Sequence, residues 1–140
     1  VKILAIDFGM KRMGFAIGNT VINTAVPINP IAWKDSTKAV EHINQLVSDY
    51  EIDRILLGYP LNMDGSKSPV TQQVERFAQR LEKSMAPGIE IEFMDERLSS
   101  FEAEEELKVL HRDYKKRKKI LDSMSALVIL RHHMNMENRK

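Results

Sequence analysis

Three carboxylates stand out by type and position: Asp7, Glu96 and Asp122. Asp7 closes an apolar, strand-like run, Lys2-Ile3-Leu4-Ala5-Ile6-Asp7. Glu96 follows a second such run, Ile89 to Asp95. Asp122 lies near the start of an apolar helical segment, Ile120-Leu121-Asp122-Ser123-Met124. A carboxylate at the end of a buried element loses hydration, so it must be paired, hydrogen-bonded or bound to a cation. Several such acids brought together cradle hard divalent ions, which take oxygen ligands. The chemistry that follows is a magnesium-dependent reaction on phosphate.

The elements that must position these acids are legible from hydrophobic period and turn residues. Lys2–Phe8 and Met13–Asn19 read as two strands joined by Gly9-Met10-Lys11-Arg12, a hairpin. Val21–Val26 reads as a third strand, ended by Pro27 and Pro30. Ser36 or Thr37 can cap a helix with Val40, Ile43, Leu46 and Val47 on one face. Arg54–Gly58 is a short buried strand. Ser68-Pro69 starts a helix with the stripe Val70, Val74, Phe77, Ala78 and Leu81, and Pro87-Gly88 stops it.

Ile89–Asp95 is the next strand. Ser99 and Glu102 have capping-box spacing, so a helix with Ala103, Leu107 and Leu110 inward begins there. After a basic loop, a final helix over about Ile120–Met134 is apolar round most of its circumference and belongs in the core. This order of a hairpin, a third strand and strand–helix units predicts an α/β fold, a mixed five-stranded sheet flanked by helices. Right-handed crossovers bring Asp7, Gly58-Tyr59-Pro60 and Glu96 to one sheet edge, where open α/β sheets bind ligands.

Composition bounds the rest. The chain has 140 residues, 43% of them hydrophobic and 29% charged, enough for one domain over 1–140. The net charge of +1 announces no polyanionic partner, so local clusters matter more. The absence of cysteine excludes disulfides and thiolate metal sites and suits a reducing cytoplasm. No apolar run has membrane-spanning length and no signal-peptide pattern opens the chain, so a cytoplasmic protein is expected.

Each candidate segment has two readings. In Asp7-Phe8-Gly9-Met10-Lys11-Arg12, Gly9 permits a tight turn beside the acid, and Lys11 and Arg12 put positive charge near a phosphate; the same residues also make an ordinary turn with solvated cations. Gly58-Tyr59-Pro60-Leu61-Asn62-Met63-Asp64-Gly65 follows a strand. Gly58 lets a phosphate approach the backbone and Asn62 can hydrogen-bond to it, while Asp64-Gly65 suits a plain turn better than a fourth acid.

In Asp95-Glu96-Arg97 only one acid can face the site, because strand side chains alternate. Arg97 can pair with Asp95 or hold a phosphate with both arms of its guanidinium. Asp122 also favours a helix N-terminus by about 0.3–1 kcal/mol without any catalytic duty. Lys115-Lys116-Arg117-Lys118-Lys119 is a solvated loop or a clamp on a phosphodiester backbone. Phe8, Phe15 and Tyr59 could stack on bases, with core packing favoured for Phe15. His42, His111, His132 and His133 fit solvated helix faces better than metal ligation.

These segments together resemble the YqgF family, RuvC-like nucleases with a ribonuclease-H-like fold connected with pre-16S rRNA maturation and Holliday-junction resolution. The resemblance covers nearly the whole chain. It rests on Ile6 to Gly14, Gly58 to Gly65, Asp95 to Ser100, Lys118 to Ser123 and Ala126 to Leu130. Ser125 stands where an alanine is common, and Gly18-Asn19 where Ser-Asp is frequent. The fourth strand ends in Gly58-Tyr59-Pro60 without an acid, unlike junction resolvases.

The resemblance implies that Asp7, Glu96 and Asp122 are catalytic and hold two Mg²⁺ or Mn²⁺ ions about 3.5–4 Å apart. Lys11, Arg12, Asn62, Arg97, Lys115, Lys116, Lys118 and Lys119 would then contact the substrate, a structured RNA or branched DNA. Maturation of the 5′ end of precursor 16S rRNA is the leading expectation, with pre-ribosomal particles as a partner. Resolution of four-way DNA, which would call for a homodimer, is the alternative. A non-catalytic nucleic-acid-binding module is the rival of another class. An actin-like ATPase would need a second domain that this length does not provide.

Overall fold

Ile3, Leu4, Ala5 and Ile6 are fully buried, as a strand covered on both faces must be. They form the middle of β1 (Lys2–Phe8) in a computed structural model that describes residues 1–8, 12–32, 35–62, 64–95 and 125–134. Along the chain follow β2 (Arg12–Asn19), β3 (Thr24–Ala32), α1 (Ser36–Tyr50), β4 (Arg54–Tyr59), α2 (Pro69–Ser84) and β5 (Glu90–Asp95). Residues 125–134 form a further helix. The sheet order is β3-β2-β1-β4-β5. β2 is antiparallel to β1 and β3, while β4 is parallel to β1 and β5. The expected mixed five-stranded sheet is therefore present.

Alternation along β1 divides the core in two. Leu4, Ile6 and Phe8 pack with α1 and α2 through Ile43, Leu46, Val74, Phe77 and Leu81. Ile3 and Ala5 face the other way and pack with Ala16, Leu56 and the 125–134 helix. That helix is buried over residues 125–130, in keeping with the apolar circumference read from its sequence. At its far end it comes so close to the sheet that a Cβ on Gly18 would stand 3.0 Å from Leu130 Cδ2 and Met134 Sδ.

Three expectations are corrected. The third strand starts at Thr24, not Val21, and runs through both prolines to Ala32. Residues 20–23 are turn, with Val21 and Ile22 exposed. β3 is an edge strand, where a missing N–H is tolerated, and the ladder absorbs Pro30 in a bulge. Met13 pairs with Ile31 and Phe15 with Ile28, so Asn29 and Pro30 together oppose Gly14.

The cap of α1 is Asp35, whose carboxylate accepts from Thr37 N at 2.8 Å; Ser36 is already helical. On α2 the Ser68 cap and Pro69 are as expected, but Thr71 is the fully buried residue where Val70 is only partly so. Thr71 has a polar reason to be inside. Its hydroxyl accepts from Ser68 N at 3.0 Å and donates to Pro60 O, tying the helix start to the loop after β4. The helix expected from Ser99 with Ala103, Leu107 and Leu110 inward, the basic loop, His111 and the first turns of the last helix lie outside the described residues.

Candidate active site

Asp7 is the penultimate residue of β1 and follows Ile3 and Ala5 in the alternation, so it faces the side of the sheet covered by the 125–134 helix. It is 8% exposed. Its partner across the hairpin is Gly14. On the other side Ile6 is aligned with Leu57, which makes Gly58 the next residue in register beside Asp7. The carboxylate thus has a glycine in the strand on either side. The bulge of β3 lies in the same row, opposite Gly14. Bulges are frequent beside active sites, where they re-aim a strand.

Arg12 opens β2 two residues before Gly14, so it shares both the sheet edge and the face of Asp7, and it is exposed. Among the described residues it is the cation best placed to meet a substrate phosphate at this acid. β5 ends at the same edge, because Tyr59 is aligned with Asp95. In that strand Met94 packs with the face of Asp7. Asp95, next in the alternation, belongs to the opposite face, in phase with Phe93 and its neighbour Tyr59.

The loop after β4 is organised by its own polar groups. Asn62 Nδ2 donates to Ser66 Oγ at 2.9 Å, and Asn62 N donates to Ser66 O at 2.9 Å. Asp64 Oδ1 accepts from Ser66 N at 2.8 Å, so Asp64 takes the turn role. Tyr59 donates its hydroxyl to Glu75 Oε1 at 3.0 Å, and Lys67 Nζ lies 3.2 Å from the same carboxylate oxygen. The Lys67 ammonium, then the Tyr59 hydroxyl, hold the Glu75 carboxyl below its ordinary range. The Glu75 and Tyr59 hydrogen bonds raise Lys67 in turn. This triad was not anticipated, since residues 59, 67 and 75 form no recognisable sequence pattern.

The aromatic and histidine expectations change. Phe8 is 4% exposed with its ring 5.2 Å from Phe77, so it is core and not a base-stacking platform. Phe15 is core as expected. Tyr59 is half-buried against Phe93 at 4.9 Å. His42 is half-buried against Phe15, 5.5 Å between ring centroids, and His132 is half-buried. His133 is buried, its Nε2 3.9 Å from Glu92 Oε2. Neither His42 nor His133 lies on a solvated face, because both helices turn these positions toward the sheet.

Lys11, Glu96, Arg97, Lys115, Lys116, Lys118, Lys119 and Asp122 lie outside the described residues. Among the described residues no three acids or imidazoles converge as a metal cluster. What is described fits one ligand of a hard cation: an almost buried oxygen donor at a strand end, with no side chain beside it in either neighbouring strand.

A family model described as RuvX, Holliday junction resolvase, matches residues 1–136. A protein of Desulfitobacterium hafniense named "Putative pre-16S rRNA nuclease" is 34% identical over 140 residues, covering 100% of this chain and 96% of its own. An Escherichia coli protein of the same name is 39% identical over 130 residues, with 91% of each chain covered. Among solved structures, the fowlpox virus Holliday junction resolvase superposes with a TM-score of 0.60 at 14% identity over 97% of this chain and 99% of its own. Thermus thermophilus RuvC in complex with a Holliday junction substrate gives 0.57 at 10% identity over 97% and 96%. At such identities the structural likeness speaks for the fold, which is ribonuclease-H-like. The match along almost the full sequence goes further: the chain belongs to the RuvX family of nucleases.

Proposed function

We propose that this chain is a divalent-metal-dependent nuclease acting in maturation of the 5′ end of precursor 16S rRNA, with Asp7, Glu96 and Asp122 as its catalytic acids. The observation that carries the reading is the setting of Asp7, nearly buried between Gly14 and Gly58 at the end of a central strand. An oxygen donor in that setting suits metal ligation. Glu96 directly follows β5 in the sequence, and the family resemblance makes it the second acid. Asp122 stands three residues before Ser125 in the sequence, and Ser125 and Ala126 are small and buried.

Mg²⁺ or Mn²⁺, when bound by these acids, would supply an activated water and charge stabilisation at the leaving oxygen. The remaining duties fall to the chain itself. Arg12, with Lys11 and Arg97, would hold the scissile phosphate and offset the charge that grows on it. Lys115, Lys116, Lys118 and Lys119 would carry the flanking backbone, and Asn62 would meet it from the loop after β4. The expected setting is the cytoplasm, with pre-ribosomal particles as the working partner. Among the described residues no helix is long and apolar enough to cross a membrane.

The likeness to junction resolvases supports a second reading, cleavage of four-way DNA by a homodimer. One assay separates the two and tests both. The purified protein and a variant lacking all three acids are incubated with Mg²⁺ on precursor rRNA, unstructured RNA and four-way DNA. Cleavage of precursor rRNA by the wild type alone supports the proposal. Cleavage confined to the junction moves the assignment to resolvase. Acid-independent cleavage, or binding without any cleavage, sinks the catalytic site.

A further inference from the structure

A hollow of about 350 Å³ lies on the opposite face of the sheet from Asp7, lined by Phe8, Ser36, Gln73, Arg76, Phe77 and Arg80. Phe8 follows Asp7 in β1, so the hollow is at the edge of the sheet that carries the catalytic acid. Its size is that of a small-ligand site. Its base is two phenylalanines in contact and its rim includes two guanidinium groups.

Those two arginines stand together on the rim. Arg76 and Arg80 are four residues apart on α2, stacked one turn above the other, and like charges so placed weaken a helix slightly. Three other described cations are paired: Lys2 faces Glu51, Arg54 faces Glu90 and Glu92, and Lys67 faces Glu75. Among the described residues no carboxylate lies within ion-pair distance of Arg76 or Arg80. Arg80 Nη1 instead donates to Ser36 Oγ, which fixes its guanidinium across the hollow from α2 to α1. A fork held this way keeps free N–H groups and matches a phosphate with two parallel bonds.

We propose that this hollow is a second phosphate-binding site for the nucleic-acid substrate. Arg76 and Arg80 hold the backbone of a strand that passes round the sheet edge from the Asp7 site, a role that rests on the nuclease reading above. A further hollow of about 330 Å³ continues past Arg80 between the helices, but Glu41 lines it, so the phosphate track ends at Arg80.

The test is equilibrium binding in a metal-free buffer over a range of salt, with fluorescent single-stranded RNA and four-way DNA as probes and poly-glutamate as a protein-like polyanion. Each lost phosphate contact reduces the log–log salt slope by about 0.7 for a single strand and about 0.9 for duplex. The Arg76→Gln/Arg80→Gln double variant is expected to lose about twice that and to bind at least several-fold more weakly, with the wild-type circular dichroism spectrum and melt. Arg76→Lys/Arg80→Lys, which keeps the charge, should restore the slope but only part of the affinity.

Wild-type affinity and slope in the glutamine variant, while the wild type still cleaves, overturn this site and leave the nuclease standing. Arginine-dependent binding without any cleavage supports the site and removes the nuclease reading. Arginine-dependent binding of poly-glutamate but not of either nucleic acid overturns the proposal in favour of an acidic protein partner.

Discussion

Asp7 stands directly opposite Gly14 across the β1–β2 hairpin. The pairing puts a nearly buried carboxylate beside a position without a side chain, and Gly58 repeats the arrangement in β4. The amide of Asn at position 7 would fill the same space without the charge. Asp7→Asn is therefore expected to lower cleavage by roughly two orders of magnitude or more while the fold persists. Without metal the variant should melt no lower than the wild type, because clustered acids repel one another. A purified variant that cuts at the wild-type rate in Mg²⁺ would show that the chemistry lies elsewhere.

Neighbouring acids at the end of β5 should behave differently. Asp95 belongs to the face of Phe93 and Tyr59, whereas Glu96 is the acid proposed above as a metal ligand. Glu96→Gln is expected to cost roughly two orders of magnitude or more in rate and to raise the Mg²⁺ requirement, with Asp95→Asn costing much less. The comparison is made by titrating metal in single-turnover assays. Equal losses with unchanged metal dependence in the Glu96 variant would dismiss it as a ligand.

The basic run is tested by its counterions. Changing Lys115, Lys116, Lys118 and Lys119 to alanine should weaken nucleic-acid binding and flatten its salt dependence by about 0.7 per lost contact on a single strand. An unaltered slope would reduce the run to a solvated loop.

Thr71 links the start of α2 to the loop after β4 through Ser68 and Pro60. Thr71→Val keeps the shape but leaves a part-buried carbonyl and an N–H without this partner. The expected destabilisation is about 1–3 kcal/mol in urea unfolding. Ser68→Ala, which removes only the cap, should cost about 1 kcal/mol. A neutral Thr71→Val would mean that water replaces the hydroxyl.

The Glu75 group carries a pH signature. Its carboxyl lies below the ordinary value of 4.5 in the folded chain, so the unfolded chain takes up the proton first as pH falls. Stability from the Lys67–Glu75–Tyr59 group is therefore present above that value and is lost as pH drops through the lower folded one. The melting-temperature difference between wild type and Glu75→Gln should shrink from neutral pH to strongly acidic pH. A constant difference would show that the group adds no proton-linked stability.

Much of this arrangement could be read before the structure, for identifiable reasons. β1 was legible because a central strand buries both faces and so has an uninterrupted apolar run. The place of Asp7 near the end of that strand was legible because a charge followed the apolar run. The start of α2 was legible because Ser68 and Pro69 are strong local signals. β3 was misplaced because proline reads as a stop, whereas an edge position with a bulge admits it. Phe8 was misread because its neighbour in sequence is the site while its neighbour in space is Phe77. The Tyr59–Glu75–Lys67 group and the arginine hollow joined residues that no short pattern connects. Arg76 and Arg80 did have a faint local signal, two like charges one turn apart.

The edge strand carries one more consequence. Nine residues of β3 include Pro27 and Pro30, a bulge at Asn29 and Pro30, and an exposed Val26. An apolar edge of that length would invite another copy to add a strand, and two missing N–H donors with a broken pleat deny it a regular ladder. Self-association through continuous sheet extension is closed at this border. Pairing of copies by regular strand addition would have to use an edge other than that of β3.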